Sequence, residues 1–277
     1  MSPKLLKILK TRHGTMLAFP NDRFLTPCLE VYGEYSPAET QLLLQVVEVG
    51  MTVVEVGANI GAHTLPIARA CSPGRLYAFE PQRRVFQVLC ANLALNDIDN
   101  VTAFQQACGL EAGEVVVPPL DYAARENFGA ISMLPAEAEA EGERVPLVRL
   151  DDLALPACGL IKVDVEGLEV DVLAGAAQTI ARTRPILSVE NDRPAKQRAL
   201  IGLIAAMGYR LYWHTPRMVT AGNFNNVTRN VFNADYKSLN MFCLPEESQT
   251  QTDMEPIDIS DPRLPADFDP ACGPVGG

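Results

Sequence analysis

What this 277-residue chain lacks narrows what it can be. No apolar run approaches the roughly 18 uncharged residues of a membrane span. The apolar clusters near its start are broken by Lys4, Lys7 and Lys10, which also argues against a signal peptide. Positive charge is short: 23 Lys and Arg face 34 Asp and Glu, a net charge of −11. Proteins that grip nucleic acid do so with clustered Lys and Arg that release counterions, so a nucleic-acid partner is not expected. The seven cysteines (Cys28, Cys71, Cys90, Cys108, Cys158, Cys243, Cys272) are scattered, odd in number and nowhere spaced C-x-x-C. That leaves neither a disulfide framework nor a zinc site, and it suits a reducing cytoplasm. What the chain does have is core: 48% of it is hydrophobic, enough for helices layered on a sheet in one large domain or two small ones.

The pattern divides into three parts. Residues 1–50 read as an N-terminal strand and helix extension, with strand candidates at Met16–Phe19 and Phe24–Val31. A helix then follows the capping box Ser36-Pro37-Ala38-Glu39. Lys4, Lys7, Lys10 and Arg12, interleaved with leucines, read as an amphipathic element there. From Met51 to Leu244, short apolar runs bounded by turn residues alternate with helical periodicity: Thr52–Val56, Arg75–Phe79, Val101–Gln105, Leu160–Val165, Pro185–Val189 and Tyr209–Trp213. Such alternation predicts a mostly parallel sheet with helices on both faces. Pro66 should delay or kink the helix after Gly61. Two strand candidates, Glu114–Val117 and Arg144–Val148, flank a polar stretch with Glu137, Glu139, Glu141 and Glu143. Residues 114–150 therefore read as an insertion, a hairpin over the active edge of the sheet. Beyond Pro245 the chain is polar and rich in Pro and Asp, so 245–277 is expected to be a disordered tail.

The chemistry begins at Val53-Val54-Glu55-Val56-Gly57-Ala58-Asn59-Ile60-Gly61, a strand entering a small-residue turn and then a helix. This is where a doubly wound fold holds its cofactor. Gly57 permits the tight turn, Gly61 lets the backbone approach a ligand, and Asn59 tolerates a left-handed conformation. The spacing G-x-x-x-G is not the G-x-G-x-x-G of a dinucleotide site, and Glu55 would repel a pyrophosphate. It would suit the ammonium of S-adenosylmethionine (SAM). His63 and Thr64 sit in the same turn. Glu80, 25 positions after Glu55 and followed by Pro81, ends the next strand where a carboxylate can take both ribose hydroxyls. Gln105-Gln106-Ala107 closes the third strand where an adenine edge would lie.

The fourth strand candidate runs into Ile161-Lys162-Val163-Asp164-Val165-Glu166-Gly167-Leu168-Glu169. In a doubly wound sheet this turn lies beside the first, across the switch-point crevice. Three acids and a lysine there are costly to bury unless paired.

Together Glu55-Val-Gly-Ala-Asn-Ile-Gly61, Phe79-Glu-Pro81, Lys162-Val-Asp-Val-Glu-Gly-Leu-Glu169 and Val189-Glu-Asn191 resemble the motifs of the FkbM family of SAM-dependent methyltransferases. The resemblance spans approximately Glu34 to Leu244, and Asp164–Glu169 is its distinctive part. Asn127-Phe128-Gly129, Asn223-Phe224, Asn230-Val-Phe232 and Ser238-Leu-Asn240 are similar to a subset of that family.

The resemblance implies a Rossmann-like class I α/β fold with a mostly parallel seven-stranded sheet. It also implies O-methylation of a hydroxyl on a sugar, polyketide or other natural-product scaffold, with S-adenosylhomocysteine as product. Glu55, Gly57, Asn59, Gly61 and Glu80 would bind cofactor, joined by His63, Thr64, Pro81, Gln106, Ala107 and Asp164. A neutral alcohol needs a base, for which Glu166, Asp164 and Glu190 are the candidates, Glu166 favoured and His214 in reserve. A Mg²⁺ ion on Asp164, Glu190 and Asn191 is an alternative that is not favoured. N-methylation of an amine or peptide is the runner-up activity, calling for an aromatic or acidic lining; an NAD-dependent oxidoreductase would need the missing glycine spacing. The partner expected is a small-molecule acceptor, free or carrier-bound, with a homodimer as a plausible assembly.

Overall fold

The structure, a computed structural model, describes residues 6–129, 131–135, 141–232, 235–265 and 268. Lys4, Glu137 and Glu139 of the sequence reading lie outside them.

The chain opens with an antiparallel hairpin, β1 (Lys7–Thr11) and β2 (Gly14–Ala18), in which Lys7 reaches Glu30 at 2.8 Å. The amphipathic N-terminal element is thus a strand. Phe24–Val31, expected as a strand, is instead helical: α1 (Leu25–Pro27) runs into a π-helical turn, Cys28–Tyr32, that Gly33 ends at φ 73°. The reason is local: Asp22 Oδ1 accepts the amides of Phe24 and Thr26, both at 3.0 Å, and so starts a helical turn despite the β-prone residues. Helix α2 (Pro37–Val46) begins where the capping box predicts, but Ser36 is left-handed and its hydroxyl bonds the Glu39 side chain at 3.0 Å. Glu39 is therefore turned inward and does not cap.

The main sheet follows. Strands β3 (Val53–Val56), β4 (Leu76–Phe79) and β5 (Val101–Phe104) alternate with α3 (Thr64–Cys71) and α4 (Arg83–Leu95). Pro66 is tolerated because α3 starts only at Thr64, which puts the proline in the first turn, where its missing N–H is no loss. β6 (Ala107–Cys108), just before the insertion, joins β7 (Gly113–Val117), β8 (Leu134–Pro135) and β9 (Glu143–Val148) in a separate four-stranded sheet. The chain returns through β10 (Leu160–Val163), α5 (Glu169–Ala174), α6 (Ala177–Thr183), β11 (Ile186–Glu190), α7 (Pro194–Ala206), β12 (Tyr209–His214) and β13 (Asn240–Pro245).

The seven strands order as β12-β13-β11-β10-β3-β4-β5, parallel except at β13. The chain leaves β3 toward β4 and comes back on its other flank as β10, so the switch point lies between β3 and β10. This is the Rossmann-like class I methyltransferase arrangement. β13, unmarked in the sequence reading, is the seventh strand and is buried along its whole length.

Side-chain alternation divides the core. Val54, Val56, Ile161 and Val163 pack with α5 to α7 on one face; Val53 and Leu160 pack with α3 and α4 on the other, together with Met16, Phe19, Leu25 and Leu29 of the extension. The N-terminal extension shares the core of the main domain.

The described part of the segment after Pro245 lies against the sheet. Trp213 and Ile257 donate backbone N–H groups to Glu255 and Leu211 at 2.9 Å, the Trp213 indole donates to the Arg263 carbonyl at 3.0 Å, and Ile257 is buried. The open edge of β12 offers unpaired backbone groups that this polar segment covers. Among the described residues, no helix is long and apolar enough to cross a membrane, and the six described cysteines are free.

Candidate active site

At the end of β3 the backbone turns sharply at Gly57, φ 86°, where a Cβ would sit 1.8 Å from the Asp164 carbonyl oxygen. Only glycine lets the first strand's turn and the β10 turn approach that closely. The Gly57 and Ala58 amides donate to the Phe79 carbonyl at 2.9 and 3.0 Å. Asn59 takes the left-handed conformation, φ 49°, and donates its amide to Glu80 Oε2 at 3.0 Å, while Gln82 donates to Glu80 Oε1 at 2.9 Å. Burial pushes the Glu80 carboxyl up to about 7, against those two amides.

Glu80 and Gly57 open onto a cavity that also takes in Pro81, Gln106, Ala107, Asp164 and Glu166, with Ile131, Met133, Val165 and Leu168 as its apolar walls. These residues fit SAM. Each Glu80 oxygen accepts one backbone amide and keeps another acceptor site for a ribose hydroxyl. The apolar walls suit a purine, and among the described residues no Lys or Arg lines the cavity to hold a pyrophosphate.

A second cavity lies next to it across the β10 turn, and Asp164, Glu166 and Gly129 line both. Its wall is acidic. Lys162, only 2% exposed, projects from β10 opposite Glu55 of β3 and approaches Asp164 at 2.7 Å and Glu39 at 3.7 Å. Burial opposes the lysine's charge, but Asp164, Glu39 and Glu55 outweigh it and hold the ammonium above its usual range. Burial likewise disfavours a charged Asp164, and there Lys162 wins, keeping the carboxyl below its ordinary value. Glu190, desolvated and beside that charge, is pushed well up, and its Oε2 is buried with no hydrogen-bond partner. Glu166 is pushed up to about 7 by burial, opposed by Arg193, which grips its Oε2.

The chain's affinities agree with this geometry. Residues 55–211, more than half of the sequence, match the methyltransferase FkbM domain. The chain belongs to the FkbM methyltransferase family. It is 33% identical over 157 residues to methyltransferase sdnD of Sordaria araneosa, covering 44% of this chain and 59% of that one. To the hexuronic acid methyltransferase AglP of Haloferax volcanii it is 29% identical over 154 residues, covering 50% and 56%. The chain thus spans just over half the length of these curated relatives. A solved FkbM methyltransferase from Methylobacillus flagellatus superposes with a TM-score of 0.47 at 15% identity, over 74% of this chain and 50% of that one.

Within this FkbM frame the predicted residues fall into groups. Gly57, Glu80, Pro81, Gln106, Ala107 and Asp164 line the first cavity; Asn59 and Glu190 line the second. Glu55, Gly61, His63 and Thr64, predicted to touch cofactor, line neither. Strand alternation buries Glu55 on the α3 side, where it accepts the Thr64 hydroxyl at 2.7 Å, and Gly61 packs against Leu89. His63 is 5% exposed, with Nε2 3.8 Å from Glu39, and burial lowers its pKa. His214 lines neither cavity and is likewise lowered by burial. Asn191 turns its amide to Met241 Sδ at 3.2 Å, away from Asp164 and Glu190. Among the described residues no three His, Cys, Asp or Glu side chains converge in a way that could hold a metal ion.

Sequence reasoning missed Asp22, Tyr35, Glu39, Asp192, Arg193 and Met218, all on the second cavity. A signal existed for two of them: Asp192 and Arg193 directly follow the Val189-Glu-Asn191 motif. Ser238 and Asn240, noted for their motif alone, line it too. Asn223 is an ordinary turn former, its side chain accepting the Val227 amide at 3.0 Å and donating to that residue's carbonyl at 2.7 Å.

Proposed function

We propose that this protein is a SAM-dependent methyltransferase acting on a hydroxyl of a small polar acceptor, such as a sugar or other natural-product scaffold. The observation that carries the reading is the shared wall: Asp164 and Glu166 line both the first cavity and its acidic neighbour. A group held in one cavity and a nucleophile held in the other meet at that turn. Bound SAM supplies a methyl already activated by its sulfonium. The protein's tasks are then to align the acceptor oxygen, exclude water and take a proton. Alignment alone is worth roughly 7–11 kcal/mol.

Glu80 holds the ribose and Gln106 the adenine edge. Gly129, tethered by the Phe128 carbonyl that accepts Gln82 Nε2 at 2.8 Å, covers the junction. Lys162 keeps Asp164 charged and so favours the positive centre beside it. Glu166, with a carboxyl near 7 and Arg193 fixing its rotamer, takes the hydroxyl proton. Clustered carboxylates raise the pKa of a bound amine and keep it protonated, which makes nitrogen the poorer nucleophile and favours oxygen.

The test is calorimetric titration with SAM, S-adenosylhomocysteine, NAD and NADH, followed by mass analysis of products from hydroxylated and aminated acceptors. Saturable binding of the SAM pair alone, with methyl on oxygen, is expected. Binding of NAD alone would overturn the class, and methyl on nitrogen would overturn the choice of atom.

A further inference from the structure

The second cavity is lined by more carboxyl groups than it has cations to pair them. Asp22, Glu39, Asp164, Glu166, Glu190 and Asp192 line it. Among the described residues, Lys162 pairs with Asp164 and Glu39, and Arg193 pairs with Glu166 and lies 3.6 Å from Asp192. Two cations therefore serve six carboxyls. Asp22 is committed to the backbone amides that start α1. Glu190 is different: its carboxyl hydrogen-bonds Asp164, but its Oε2 is buried on the cavity wall with no protein donor aimed at it. An unmet buried carboxyl oxygen costs stability, and a ligand that donates to it recovers that cost. Neutral side chains that suit hydroxyls, Asn127, Ser238 and Asn240, complete the lining.

We propose that the acceptor is a hydroxyl-bearing amine, whose ammonium is received on the Glu190 and Asp192 side of the cavity while its hydroxyl faces the Asp164–Glu166 turn. The proposal rests on the second cavity being the acceptor site. It sets this chain apart from a relative named for a hexuronic acid. A carboxylate or phosphate placed here would meet acids already in excess, with Arg193 held by Glu166, and like charges brought together without water repel. The high pKa of the Glu190 carboxyl fits the same picture, since an ammonium beside it would draw the proton off and form a charge-assisted pair.

The experiment compares matched probes on the full chain by calorimetry, with and without saturating S-adenosylhomocysteine. One set is glucosamine, glucose, glucuronic acid and glucose 6-phosphate. The other is 2-aminocyclohexanol, cyclohexane-1,2-diol and 2-hydroxycyclohexanecarboxylate. The amine of at least one set is expected to bind about tenfold or more tighter than its hydroxyl counterpart, with the anions weakest, as a charged hydrogen bond predicts. D192N, at a half-buried position between β11 and α7, should shrink that preference toward parity while S-adenosylhomocysteine binding and the thermal midpoint stay in place. Anions binding as well as amines, no probe of either set binding, or a preference unchanged in D192N would each overturn the proposal. If S-adenosylhomocysteine itself fails to bind, the methyltransferase reading falls, whatever the probes show. If it binds and the amine preference is absent, only the present inference falls.

Discussion

The two cavities that meet at the β10 turn are built from different parts of the chain. Every residue of the first cavity lies between Val56 and Leu168, inside the matched FkbM segment, and its key groups stand at the ends of neighbouring parallel strands. The acidic cavity takes nearly half its wall from outside that segment: Asp22, Phe24, Leu25, Tyr35 and Glu39 come before it, and Met218, Ser238 and Asn240 after it. A common ligand can be held by the part of the chain that relatives share. What distinguishes this protein's acceptor has to be sought in the extension before β3 and the loop between β12 and β13.

The sharpest way to break the cofactor half is Gly57→Val. Its side chain would collide with the Asp164 carbonyl at a backbone angle valine rarely adopts. No calorimetric heat of SAM binding is expected, together with a lower thermal midpoint; retained binding would mean the turn does not shape the cavity.

Next in size is Lys162→Met, which strikes the joint between the cavities. It leaves Asp164, Glu39 and Glu55 without their shared cation, and breaking such a buried pair should cost about 3–5 kcal/mol in urea unfolding. A loss below 1 kcal/mol would show those carboxyls are already neutral.

Glu166→Gln separates chemistry from binding. We expect kcat to fall about 100-fold or more while the SAM affinity stays within about twofold. In the wild type, activity should rise with pH and level off above about 7, because the base works only once its proton has left. A pH profile already flat at 5 would move the base to another carboxyl.

The smallest effect tests the side chain that both cavities leave out. Burial raises Glu55 to about 7 from its usual 4.5, so between those values the folded chain keeps a proton the unfolded chain releases, and stability declines as pH rises through that window. Glu55→Gln keeps a partner for Thr64 and removes that penalty. Relative to the wild type it should match at pH 4 and gain about 1–3 kcal/mol by pH 8. A SAM affinity that drops sharply in this variant would restore Glu55 to the cofactor contacts.

What was legible follows from how each feature is encoded. The order of strands and helices, the glycine turn, Glu80 at a strand end and the Asp164–Glu169 turn are all local patterns. Short-range steric and capping rules write them into consecutive residues, so a one-dimensional reading reached the fold and the family. Its failures are equally physical. Glu55 stands two residues before the turn like a ligand, yet a strand sends alternate side chains to opposite faces, and this one was sent behind the sheet. Glu39 occupies a capping position, yet a left-handed Ser36 and the Lys162 charge drew it inward. The polar segment after Pro245 has no periodicity to announce that an open strand edge will hold it. The sequence by itself therefore determined the elements, their order and the residues that stand at the strand ends around the first cavity. Only the tertiary structure decided which carboxyls share Lys162, which carboxyl oxygen is left without a donor, and that segments far apart in the chain close one acidic cavity, because those choices depend on contacts between residues distant in sequence.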